Sequence, residues 1–161
     1  MGSELNGPPT PEEQTAFGAS IGTWPAFEDS AASLLRLSAQ FKLIVVSNVD
    51  RASFAKSQEK LGIRFDAAIT AEDVGAYKPA QPHFDELFRT VAKMGYSRDQ
   101  LLHVAQGLVY DHEPAQRLGI RAAWINRQSL RGAHTGTFHT LPMTMPPIEY
   151  PSMSAFTAAA T

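Results

Sequence analysis

The strongest signal along the chain is a continuous apolar run, Leu43-Ile44-Val45-Val46, followed at once by polar Ser47 and Asn48. A run with no polar alternation needs cover on both faces, which predicts a strand inside a parallel α/β sheet. Ala67-Ala68-Ile69-Thr70 predicts a weaker second strand, Leu101 to Ala105 a third, and Arg121 to Ile125 a fourth. Helical spacing fills the intervals. Asp50 caps a helix that carries Phe54 and Leu61 and stops at Gly62. A helix from about Pro82 to Lys93 puts Phe84, Leu87 and Val91 on one face, with Gly95 beyond its end. Asp111 caps a further helix that closes at Gly119. Strand alternates with helix across residues 43 to 125, which argues for βαβ units with right-handed crossovers and helices on both faces of one sheet.

The flanks are less patterned. Residues 1–14, with Gly7, Pro8 and Pro9, read as a flexible leader, although Pro11 suits the first turn of a short helix. Gly18 to Pro25 reads as a loop. Asp29 or Ser30 caps a helix through Leu34, Leu35 and Leu37. Residues 131 to 150, rich in Gly, Thr and Pro, predict irregular chain, and a last helix runs from about Ser152 to Ala159.

Composition narrows the function classes. The 161 residues suit one domain and are 43% hydrophobic, so a core is within reach. A net charge of −2 gives no reason to expect nucleic acid or an anionic membrane as partner. The absence of cysteine removes disulfides, thiolate nucleophiles and thiolate metal ligands together. No apolar window is long enough to span a bilayer, and the first residues lack the basic and apolar regions of a secretory signal. The expectation is a cytoplasmic protein.

In open parallel sheets, chemistry gathers beyond the carboxyl ends of the strands. Three such exits carry polar groups: Ser47 and Asn48, Lys78 in Gly75-Ala76-Tyr77-Lys78-Pro79, and Asp111. This set suits a small anionic organic substrate. Ser47 and Asn48 can hydrogen-bond its oxygens, Lys78 can hold negative charge, and Asp111 can orient a water or the lysine. Each has a plainer reading: a polar residue ending a strand, a solvated turn lysine, a helix cap. His83, His103 and His112 share no metal-ligand spacing and read as structural or surface residues, and Trp24 and Trp124 as packing.

The same segments resemble the haloacid dehalogenase superfamily. Lys42 to Arg51 resembles its second motif and Tyr77-Lys78-Pro79 its third. The stretch from His103 through Gln106, Gly107, Asp111 and Pro114 to Ile120 resembles its fourth. The 2-haloacid dehalogenase branch fits best, with Trp24 to Asp29 and Trp124 to Arg127 in keeping with it. The resemblance implies a Rossmann-like α/β core with a parallel sheet flanked by helices, and hydrolysis of a carbon–halogen bond through an aspartyl ester. It implies substrate contact by Ser47 and Asn48, and catalytic roles for Lys78 and Asp111. Residues 15–40 would be a remnant of the cap-to-core connection and residues 41–161 a partial core.

Two departures from that pattern stand out. The phosphatase branches place another carboxylate just before the fourth-motif aspartate to hold magnesium, whereas Leu101 to Tyr110 contains no acid. No metal and no cofactor are expected. Leu108 also stands where a polar residue is usual, which disturbs the expected water site. The larger departure is that no apolar strand ending in Asp precedes Leu43, so the first, central strand and its nucleophile are missing. Three outcomes follow. The flanking strands pair directly, self-association or a partner chain fills the slot, or the sequence is part of a longer gene. The expected function is a hydrolase by descent that is inactive as this chain. The alternatives are a remnant that binds a small acid or a partner, or an enzyme repurposed for a larger metabolite.

Overall fold

β1 (Ile44–Ser47) and β2 (Ala67–Thr70) pair in parallel, with Ile44 opposite Ala67 and Ser47 opposite Thr70. They form a sheet of their own in the computed structural model, which describes residues 8–127 and 148–161. β3 (Leu102–Ala105), β4 (Arg121–Ile125) and β5 (Ile148–Tyr150) form a second, also parallel sheet in that order. The single sheet expected over residues 43 to 125 is thus two sheets: β1 and β3 do not pair. The physical reason lies between them, in a cleft of about 690 Å³ lined by both strands.

The helices cover both faces. α1 (Pro11–Ser20) opens on a capping box between Thr10 and Glu13, and helical structure therefore begins inside the predicted leader. It passes into a tight turn over Ile21–Thr23, so the loop expected from Gly18 starts later than predicted. α2 (Ser30–Ser38) does not use Asp29 as a side-chain cap. That carboxylate instead pairs with Arg127 at 2.9 Å and accepts from the Ser154 N–H at 3.1 Å. α3 (Arg51–Leu61) is capped by Asp50, which accepts from the Ser53 N–H at 2.8 Å, and ends on Gly62 with φ 64°, where a side chain would be strained. Next come α4 (Ala71–Val74), α5 (Gln81–Lys93), α6 (Glu113–Arg117) and α7 (Met153–Ala160).

α5 buries its apolar stripe against both sheets. Phe84, Leu87, Phe88 and Val91 pack with Ile69, Ala115 and Ile120, and reach Ile44 and Val46 on one side and Leu101 and Ala122 on the other. On the opposite face α2 and α7 meet, with Leu37 and Phe156 against Ala123 and Ile125, and with Leu43 and Val104 beside them. α2, inside the segment read as a connection, thus contributes to the core. The layers are helix, strand, helix, with the middle layer split.

Most of the stretch expected to be irregular, residues 131 to 147, lies outside the described residues. Ile148–Tyr150 corrects the remainder: it is strand, held because Asn126 N–H donates to Tyr150 O at 2.8 Å. Trp24 is also a correction. It is 54% exposed, with its ring against the edge of Phe17 and its indole N–H donating to Ser20 Oγ at 3.3 Å, whereas Trp124 is half-buried. No helix among the described residues is long and apolar enough to cross a membrane.

Because α5 packs against both halves of the middle layer, truncating its fully buried Phe84 should cost stability in both. Phe84→Ala is expected to lower the unfolding free energy by about 3–5 kcal/mol, read from urea denaturation. A change below about 1 kcal/mol would mean that the two sheets are held together elsewhere.

Candidate active site

The three strand-exit positions converge, and one ion pair is their centre. Lys78 Nζ lies 2.6 Å from Asp111 Oδ1 and donates to the carbonyl of Val46, in β1, at 2.8 Å. Both side chains are only 11% exposed, so Lys78 is not a solvated turn lysine. Its backbone is fixed by Asn48. The Asn48 Oδ1 accepts from the Lys78 N–H at 2.6 Å, and its Nδ2 donates to the Lys78 carbonyl at 3.1 Å. Both polar ends of that amide are therefore engaged, and Asn48 holds the lysine loop. Ser47, half-buried, ends β1 beside this clamp. The peptide between Lys78 and Pro79 is cis.

Asp111 reaches the pair in an unexpected way. It does not cap a helix. It sits inside a wide π-helical turn, Leu108–His112, that leads into α6, and neither segment has a side-chain cap. The wide turn rotates the carboxylate inward, where it is 8% exposed. Burial by itself would push the Asp111 carboxyl up. The hydrogen bond with His103 and the charge of Lys78 outweigh it and hold the carboxyl below the ordinary carboxylate value. An ionised carboxylate only accepts, so at 3.2 Å it is the Nε2–H of His103 that donates to Oδ1.

His103 and Gly107 are the site residues that sequence reasoning missed. His103 is buried at an inward position of β3, beside the ring of Phe84. A histidine within an apolar strand was the available signal. Gly107 has ordinary φ, but a Cβ there would lie 2.7 Å from Asp111 Oδ2, so the close approach itself requires glycine. His83 and His112 are buried as well, which removes the surface reading for them. His112 donates through Nε2 to the carbonyl of Ala105 at 2.9 Å and ties the π turn to the end of β3. His83 is fully buried with neither ring nitrogen in a well-formed hydrogen bond, although the Ser47 backbone is near enough to act on it. Burial lowers the proton affinity of both His83 and His112. Trp124 donates its indole N–H to Gln106 O at 3.1 Å, steadying the loop between β3 and the π turn.

A magnesium ion of the kind such folds hold does not fit these residues. Asp111 is the one carboxylate of the cluster, and its Oδ1 already meets the lysine ammonium and an imidazole N–H. The neighbouring Gln106 and Gly107 offer no charge to a hard cation.

No family model matches this sequence, and no curated protein does. Solved structures do match. An L-2-haloacid dehalogenase from Xanthobacter autotrophicus with chloropropionic acid covalently bound superposes with a TM-score of 0.75, at 16% identity over 97% of this chain and 69% of that one. A 2-haloacid dehalogenase from Pseudomonas syringae pv. Tomato gives 0.64, at 24% identity over 92% and 60%. A HAD phosphatase from Thermococcus onnurineus gives 0.67, at 22% identity over 91% and 63%. At these identities the likeness is one of fold: the chain has the α/β fold of haloacid dehalogenase-type hydrolases. It spans between 60% and 69% of the length of these three proteins.

Removing one partner of a buried ion pair strands the other charge. Lys78→Met is therefore expected to lower the unfolding free energy by about 3–5 kcal/mol near neutral pH. The pH dependence follows from the sign of the Asp111 shift. Its folded value is depressed, so its contribution is full above the unfolded value of about 3.9 and is lost as pH falls through the folded value. The stability gap between the native chain and Asp111→Asn should thus stay constant down to about pH 5 and narrow as the pH falls below it. A gap that stays constant in chemical denaturation below that pH would contradict the ionised, paired carboxylate.

Proposed function

We propose that this chain is the core portion of a haloacid dehalogenase-type hydrolase of the 2-haloacid dehalogenase kind, acting on a small anionic organic substrate and inactive as this polypeptide alone. The observation that carries the reading is the buried Lys78–Asp111 pair at the strand exits, within a fold whose solved examples include 2-haloacid dehalogenases. In this reading Lys78 is the cation that steadies an attacking carboxylate and the anionic intermediate. Asp111 fixes the lysine, and Ser47 faces the substrate acid. Asn48 acts through Lys78 as a positioning residue. We place the protein in the cytoplasm, where a chain without cysteine loses nothing to reducing conditions.

The reason for inactivity is chemical. Displacing halide needs an anionic oxygen held in line with the carbon, and such positioning supplies much of the rate enhancement. Asp111 is ionised, but its Oδ1 is bound to both Lys78 and His103. Ser47 lacks a strong general base: the imidazole of His83, close to the Ser47 backbone, is buried and has lost proton affinity.

Halide release from 2-chloropropionate tests this directly. The chain should show none above background. A longer polypeptide that adds an apolar strand ending in aspartate ahead of Leu43 should turn over, and Lys78→Ala in it should remove most of the rate. Robust turnover by the present chain, lost on Asp111→Ala, would overturn the reading and make Asp111 the nucleophile. Magnesium should give no specific heat in calorimetry at neutral pH, because the cluster holds one carboxylate already engaged. One-site micromolar binding would show that a second oxygen ligand had been overlooked.

A further inference from the structure

Three imidazoles gather around the Lys78–Asp111 pair from different elements. His83 comes from the first turn of α5, His103 from β3 and His112 from the π turn. The rings of His103 and His112 lie 6.3 Å apart, edge to face. His83 and His112 are both completely buried. His112 already spends its Nε2–H on the Ala105 carbonyl, and its Nδ1 is buried without a partner. Neither nitrogen of His83 has one. A proton arriving at either ring therefore adds a buried charge and leaves a donor unsatisfied. His103 differs: its Nε2–H rests on a carboxylate, and its ring borders the cleft.

We infer that His83 and His112 form an acid-sensitive latch on the strand-exit site: while both rings are neutral the Lys78 loop and the π turn stay docked, and mild acid releases them. The latch rests on the function proposed above only for the purpose of the site it controls. Hydrolysis of a carbon–halogen bond consumes water and yields an alcohol, a halide and a proton, so the reaction's own product would switch the site off.

Among the described residues, the charges around the two rings are already engaged. Lys78 opposes a proton on His83, and Asp111, which favours it, is bonded to Lys78 and His103. β1 and β2, against which α5 packs, carry no charged side chain. On α4, Glu72 and Asp73 pair with Arg51 at the surface. On α5 itself, Asp85 accepts from Gln81 and Glu86 pairs with Arg89, while Arg98 lies over Phe88. Around His112, His103 opposes the proton and Asp111 favours it. Glu113 and Arg117 of α6 are exposed, and Arg121 of β4 donates to the Asp99 carbonyl at the surface.

Burial holds both rings below the ordinary histidine value of 6.5, so any state that hydrates them takes up protons that the folded state refuses. Their contribution to stability is full above about pH 6.5 and declines from there toward the folded values, ahead of Asp111. Between about pH 7.5 and about pH 5.5 each ring lowers the folding constant about tenfold, and the two together about a hundredfold.

The test uses the intact chain without substrate, so its failure and that of the catalytic reading are separate results. Urea denaturation across this range should show about a hundredfold loss for the native chain. His83→Phe fills the space without titrating, and His112→Gln keeps a donor for the Ala105 carbonyl. Each should retain about a tenfold loss, and the double variant a nearly flat profile. Amide hydrogen exchange without urea should show residues 107–112 and the Lys78 amide losing protection through openings smaller than global unfolding. Should a variant fail to fold, proton NMR of the native chain decides: both rings stay neutral in the folded form at about pH 5.5. Ordinary titration of both rings in the intact fold, a pH-independent native chain, or undiminished dependence in the double variant overturns the inference. Protection lost only in step with global unfolding overturns the latch as well, because the acid sensitivity is then not local to the site.

Discussion

The ion pair between Lys78 and Asp111 joins two sheets that share no strand pairing. Lys78 belongs to the first half of the middle layer, through the carbonyl of Val46 and the clamp of Asn48. Asp111 belongs to the second, through His103 on β3 and the π turn that His112 ties to the end of the same strand. Apolar packing by α5, α2 and α7 presses the halves together from both faces but is non-directional. The ion pair supplies what packing cannot, a fixed distance and orientation at one end of the gap. Desolvating two charges is costly, and their attraction offsets that cost only with good geometry and further hydrogen bonds. Here Oδ1 has two donors and Nζ has two acceptors.

That arrangement also explains why the residues around the pair are the types they are. Gly107 is glycine because Oδ2 occupies the space of its Cβ. His103 is polar inside an apolar strand because Asp111 needs a second donor. Asn48 carries an amide because the Lys78 backbone presents one donor and one acceptor together. A carboxylate at that position could accept from the Lys78 N–H but could not donate to its carbonyl.

Much of the fold was legible in the chain. The run Leu43 to Val46 could only be a strand covered on both faces, and the spacing of Phe84, Leu87 and Val91 gave the face of α5. The positions of Ser47, Lys78 and Asp111 followed from where strands end. What the sequence hid was of a different kind. β5 is three residues long in a proline-rich neighbourhood and is defined by its partner β4 rather than by its own pattern. The π turn adds a residue to each turn of helix without any propensity signal, so Asp111 read as a cap. Asn48 and Ser47 are chemically similar neighbours at a strand exit, and only the position of the Lys78 backbone separates their jobs.

The outer rim of the three-stranded sheet has a consequence for how this protein behaves when crowded. β5 is the terminal strand there, it is only three residues long, and Pro151 follows it directly, with Pro146 and Pro147 just ahead in sequence. So short a strand, bounded by residues without an amide hydrogen, is a poor template for another molecule. Sheet growth from that side is disfavoured by composition, which leaves β2, the four-residue terminal strand of the two-stranded sheet, as the longer outer edge.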